Sequence, residues 1–148
     1  MKKLVCLMAF LSMTFSAAFA DVVGVVDFDK VVDNYAKVKI SSNEVSDKYA
    51  EIQRYSLDKE REYKKLSTPL ERKNFEEAVA RELAKKQEAY LKLKEKKEAE
   101  IDASIKNAIK QVAMSSNVTT VVEKSVVFFG GVDLTDKVIR TLNSGAVK

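Results

Sequence analysis

The sequence predicts a mainly α fold: one long antiparallel helical hairpin projecting from a small β body built by both ends of the chain. Three observations carry this expectation. No glycine occurs between Gly24 and Gly130, and Pro69 is the only proline, so the punctuation that closes turns in a compact domain is missing over most of the chain. From Ser41 to Lys110, 17 basic and 15 acidic side chains fall among 70 residues. Such density suits a long solvated helix or disorder, and the dominance of Ala, Glu, Lys, Leu and Arg with recurring apolar positions decides for helix. The β-branched runs lie outside this stretch, near both ends.

Residues 1–20 read as a secretory leader. Lys2 and Lys3 precede a mostly apolar run from Leu4 to Phe15, and Ala18-Phe19-Ala20 offers a small-x-small cleavage site before Asp21. The apolar part is too short for a permanent span, and Cys6 lies inside it rather than at the lipoprotein position. Cleavage after Ala20 removes two of the 26 basic residues and none of the 22 acidic ones, leaving a net charge of +2. It also leaves neither cysteine nor histidine. That inventory excludes disulfides, Cys/His zinc sites, thiol nucleophiles and histidine acid–base chemistry. Asp27, Asp29 and Asp33 lack the glycine and terminal glutamate of a calcium loop. Nothing gathers serine, lysine or carboxylates around a Gly-rich turn, so the expectation is a non-enzyme without metal or cofactor. The small net charge speaks against a nucleic-acid partner.

After the leader, Val22 to Val26 is a short strand candidate, and Asp27 caps a short helix through Val31, Val32 and Tyr35. The body is expected over 21–40 and 113–148, and the hairpin over 41–112. In its first helix Val45, Tyr49, Ile52, Ser56, Lys59, Tyr63 and Leu66 follow alternating spacings of four and three, a heptad seam with a polar middle. Thr68-Pro69-Leu70-Glu71 combines a capping threonine, proline at the first helical position and glutamate three after the cap. The tip is therefore expected near 67–71, with one helix ending near Leu66 and the next opening at Pro69. In the second helix Phe75, Val79, Leu83, Tyr90, Ile101, Ile105 and Val112 form the stripe. Val79, Tyr90, Ile101 and Val112 stand eleven apart, a period that keeps helices nearly straight. Lys59, Lys86 and Lys97 interrupt the stripes, which implies a thin contact. Glu60/Lys64, Glu82/Lys86 and Glu88/Lys92 place acid before base at i,i+4 and favour helix.

The tail offers two more strands, Val118 to Glu123 and Ser125 to Phe129. Gly130-Gly131 then stops the second, and Asp133-Leu134-Thr135-Asp136 opens a last helix carrying Val138, Ile139 and Leu142. Three short strands and two small helices make a meagre core. The strands are apolar on both faces, so a second protomer is the economical source of cover. The oligomerisation surface expected on this ground comprises Val23, Val25, Val121, Val122, Val126, Val127, Phe128 and Phe129.

The order of a leader, Val22-Val23-Gly24-Val25-Val26-Asp27, a charged hairpin and Ser125-Val126-Val127-Phe128-Phe129-Gly130-Gly131-Val132-Asp133-Leu134-Thr135-Asp136-Lys137-Val138-Ile139 resembles the Skp/OmpH family of periplasmic chaperones. The resemblance spans essentially the whole chain after the leader, and the tail is its most specific piece. It implies a homotrimer whose strands form a β-barrel-like body, with three hairpins hanging around a cavity. Its clients are unfolded outer-membrane proteins, held without nucleotide until delivery to the membrane.

Client contacts are expected on the arms. Lys85, Lys86, Lys92, Lys94, Lys96 and Lys97 form a basic cluster that faces only Glu88 and Glu95 within its own window. A solvated helix face explains any single lysine as well, whereas the cluster attracts acidic clients, lipopolysaccharide or an anionic membrane surface by long-range steering. Tyr55 lies off its stripe and is free to face a client. Leu66, Leu70 and Phe75 gather near the tip as an apolar patch or as a staple closing the turn. Two rival functions fit the same residues: a structural coiled-coil adaptor of the envelope, and a lipopolysaccharide-binding protein.

Overall fold

The computed structural model describes residues 21–145; the expected leader lies outside them. The element order is β1 (Val23–Val26), α1 (Phe28–Asn34), α2 (Ala36–Tyr63), α3 (Pro69–Ser115), β2 (Thr120–Glu123), a 3-10 turn (Lys124–Val126), β3 (Val132–Asp133) and α4 (Thr135–Asn143). The fold is mostly helical with one small sheet.

Each helix end has a local cause. Asp27 caps α1, its carboxylate accepting from the Lys30 amide at 2.9 Å. The chain breaks at Tyr35 (φ −88°, ψ 110°) before α2 begins. Asn143 of α4 plugs this break: its amide donates to the Asn34 carbonyl at 2.8 Å, and its carbonyl accepts from the Ala36 amide at 3.0 Å. Two orphan backbone groups are thereby satisfied. At the tip, the Thr68 hydroxyl accepts from the Glu71 amide (3.2 Å) while the Glu71 carboxylate accepts from the Thr68 amide (3.0 Å), so the expected capping box is present. Thr68→Ala removes the acceptor and the hydroxyl's own bond to the Glu71 carboxylate (2.8 Å), leaving only the backbone half of the box. It lowers arm stability by about 0.5–2 kcal/mol, measurable as faster amide exchange over the first turn of α3. The far end of α3 carries a stop signal at Asn117. Asn117 adopts φ 52°, its amide donates to the Met114 carbonyl, and the Val118 amide donates to the Ala113 carbonyl at 2.9 Å. This paired closure defines a Schellman motif with asparagine in the left-handed position.

The sheet is parallel, in the order β2-β1-β3. Val23 to Val26 pair with Thr120 to Glu123, and Gly24 and Val25 pair with Val132 and Asp133. One expectation fails here. Residues 125–129 form no strand: Ser125 and Val126 belong to the 3-10 turn, and the Val127 amide donates to the Lys124 carbonyl at 3.1 Å. The reason is topological. Both edges of β1 are taken, by β2 and β3, so this segment has no ladder partner within the chain and carries the backbone from one edge to the other. The third strand forms instead after Gly130 and Gly131, whose φ of 88° and 90° re-aim the chain.

The core joins Val26, Val31, Tyr35, Val118, Leu134, Val138 and Leu142 to Ile105, Ala108 and Val112 of α3. The base of the long helix is thus a wall of the body. Polar links knit the ends together: the Asp27 amide donates to the buried Thr135 hydroxyl (3.0 Å), and the Phe28 amide to the Glu123 carboxylate (3.2 Å).

Beyond that wall α2 and α3 lie against each other, with contacts in opposite chain order: Tyr63 meets Phe75, Glu51 meets Lys86, Tyr49 meets Tyr90 and Glu44 meets Lys97. At about 1.5 Å per residue, the 47 residues of α3 extend roughly 70 Å.

Candidate functional site

Two surfaces bear on function, the seam of the arm and an apolar ledge on the body. On the arm, the six lysines expected to bind clients all have acidic partners. Lys92 pairs with Glu88 at 2.6 Å, Lys85 with Glu82 at 3.7 Å, Lys94 with Glu98 at 3.9 Å and Lys96 with Glu100 at 4.0 Å along α3. Lys86 and Lys97 reach across to α2, to Glu51 at 2.8 Å and Glu44 at 2.5 Å. Lys37 adds a looser link to Glu100 at 3.9 Å. The expected Glu82/Lys86 pair is therefore replaced by an interhelical one, while Glu60/Lys64 and Glu88/Lys92 form.

The Lys86 and Lys97 side chains are only 22% and 19% exposed: their stems pack in the seam and their ammonium groups emerge at its edge. Hydrogen bonds from Lys48 and Lys86 pull the Glu51 carboxyl down to about 2. Hydrogen bonds to Glu51 and Glu44 push the Lys86 and Lys97 amines up. Each of the six lysines thus has a carboxylate within 4.0 Å, closely for Lys86, Lys92 and Lys97 and loosely for Lys85, Lys94 and Lys96. Glu88 lies within the lysine window; Glu82, Glu98 and Glu100 lie just outside it on α3, and Glu44 and Glu51 lie on the other helix. Glu44 and Glu51, seven apart on α2 opposite lysines eleven apart on α3, were the available signal.

Tyr55 is half-buried beside that edge, with the Lys86 and Lys59 ammonium groups 5.2 and 5.6 Å from its ring centroid. At the tip the three apolar residues separate. Phe75 packs against Tyr63 with centroids 6.3 Å apart, the Leu66 carbonyl accepts from the Arg72 guanidinium, and Leu70 stands 68% exposed.

The body presents the second surface. Val25 is buried within the protomer, under Gly131, where a side-chain carbon would stand 2.7 Å from its Cγ1. Val121, Val122 and Val127 are half-buried and Val23 is exposed. Val126, Phe128 and Phe129 on the crossover segment are 76%, 106% and 94% exposed, with Val22 and Val132 also open to solvent. Of the eight residues expected in an oligomer contact, these three valine and phenylalanine side chains have the most surface left to cover.

The crossover is pinned at both ends by Lys124, whose ammonium lies 2.7 Å from Asp133 of β3. That contact, with hydrogen bonds from Thr135, holds the Asp133 carboxyl at about 2, below its usual 3.8. A carboxyl depressed by folding stabilises the fold above its ordinary value, and the contribution is lost as pH falls from about 4 through 2. Both groups are half-exposed, so solvent screening keeps the effect small. In guanidinium titrations the midpoint of the parent falls across that window, and Asp133→Asn flattens this part of the fall.

Among the described residues no His, Cys, Asp and Glu cluster is arranged to hold a metal, and no helix is long and apolar enough to cross a membrane. The sequence pattern described as Outer membrane protein (OmpH-like) matches residues 22–142, spanning body, arm and tail together. The chain belongs to the OmpH-like family. No individual curated protein matches it. The OmpH-like family is one of chaperones for outer-membrane proteins, not of enzymes. Its match includes the crossover with Phe128 and Phe129 as well as the whole of α2 and α3.

Proposed function

We propose that this OmpH-like chain is an ATP-independent periplasmic holdase. It captures unfolded outer-membrane proteins between the antiparallel helical arms of a homotrimer and keeps them soluble for membrane insertion. The observation that carries the reading is the family match across both arm and body. The trimer accounts for the ledge: Val126, Phe128 and Phe129 would stay in water on a lone chain, and shared strands in a barrel-like body cover them. The arms act through many weak contacts. Their paired charges keep a long surface solvated, while Leu70 at the tip and Tyr49 and Leu91 along the seam expose apolar area at intervals. An unfolded chain held in this way is retained without being buried in a fixed site.

The test is dilution of a urea-unfolded porin into buffer with the mature protein at one trimer per porin, without nucleotide, followed by light scattering. Aggregation is suppressed, and the suppressed material remains competent to insert into lipid vesicles. Unchanged scattering would overturn the holdase reading. Tight binding of one folded envelope protein, with indifference to porin, would favour the adaptor.

A further inference from the structure

The arm has two unlike edges, and helical periodicity separates them. Glu44 and Glu51 stand seven apart on α2, and their partners Lys97 and Lys86 eleven apart on α3. Seven residues are close to two turns and eleven close to three, so these contacts run along one edge. Three cavities of about 300, 410 and 220 Å³ lie between the same helices. On α2 their borders include Ser46, Gln53 and Glu60, again seven apart; on α3 they include Glu98, Gln87 and Glu76, again eleven apart. Gln53 is two residues from Glu51 and Gln87 is one from Lys86. At about 100° per residue, that places these borders on the other edge of the seam; of the four paired residues, Lys97 alone also borders a cavity.

Ile52 is the one buried apolar side chain in the middle of this seam, and it lines the central of these three cavities with Leu83 and Tyr90. We propose that the arm is a one-sided clip: α2 and α3 are fastened along the Glu44/Lys97 and Glu51/Lys86 edge and part along the Gln53/Gln87 edge. Packing resists parting least where it is already interrupted: on the cavity side the tilted Tyr49–Tyr90 contact and the Tyr63 hydroxyl beside Glu76 cross between the helices, whereas the opposite edge carries both interhelical ion pairs. Parting widens the central cavity and presents Ile52, Leu83 and Tyr90 on one face of the arm only. The clip stands on the geometry of the arm and does not depend on the identity of any client.

Spin-label distances test it in the full mature protein, which has no cysteine of its own. One label pair, Gln53→Cys with Gln87→Cys, reports the open edge; a second, Asp47→Cys with Ala89→Cys, reports the fastened one and leaves the Lys48, Lys86 and Glu51 contacts in place. The open-edge distribution is broader than the fastened-edge distribution. Adding Glu44→Gln and Glu51→Gln broadens the fastened edge to match, and so does raising salt to about 1 M, where the screening length falls to about 3 Å. Helicity by circular dichroism confirms that α2 and α3 persist in each variant. Equal widths at the two edges of the parent, or a fastened edge that stays narrow after both glutamates are neutralised, would overturn the clip.

Discussion

If the proposed trimer forms, replacing Phe128 and Phe129 together with aspartate is expected to reduce the particle in solution to single chains and to abolish protection of unfolded porin. Both rings lie in water on the lone chain, so little within the protomer depends on them. Burying a phenylalanine contributes about 1.5–3 kcal/mol, and a closed trimer counts two such rings from each protomer. Substitution forfeits this contribution and places carboxylates where the contact must be dry. Mass by light scattering and sedimentation checks the result. Retention of α2 and α3 by circular dichroism separates disassembly from unfolding, and Phe128→Leu with Phe129→Leu keeps the assembled mass. An unchanged mass for the aspartate variant would remove the basis of the trimer.

Leu134→Ala is expected to have the largest effect on the fold of the protomer itself. Leu134 has no exposed surface and sits in the cluster joining β1, α1, α3 and α4. Truncation of such a leucine typically costs about 2–5 kcal/mol, a large share of the stability of a small domain. Gly24 is part of the same packing: a side-chain carbon there would lie 2.8 Å from Leu134 Cδ1 and 2.9 Å from Val118 Cγ1. Gly24→Ala therefore overpacks the parent body and is milder once Leu134 is shortened, so the two changes couple in a double-mutant cycle. Denaturant midpoints of the four proteins measure that coupling. Strict additivity would show that the two positions do not share the space assigned to them.

The arm was largely legible from sequence because its signals are local. The capping box at Thr68 and Glu71 and the heptad and eleven-residue stripes each depend on residues a few positions apart, and each appears in the structure. Boundaries blurred where a distant residue intervenes. The break at Tyr35 is held by Asn143, which no window around Tyr35 contains. The tail was misread for a related reason. Ser125 to Phe129 has the composition of a strand, but a strand needs a neighbour to pair with, and β1 already has two. Charge pairing follows the same rule: the local spacing assigns Lys86 to Glu82, while Glu51 and Glu44 meet Lys86 and Lys97 from the other helix.

The central place of β1 dictates the order in which the molecule can be completed. Val23 pairs with Thr120, and Gly24 with Val132, so β1 waits for partners that lie beyond the whole of α3. The contacts between α2 and α3 close over shorter loops and are available earlier. A chain emerging from its N-terminus therefore holds a preformed arm above an unpaired, valine-rich strand until the tail arrives. Its most aggregation-prone interval is its own maturation, and stalling between α3 and β2 leaves that strand exposed for longest.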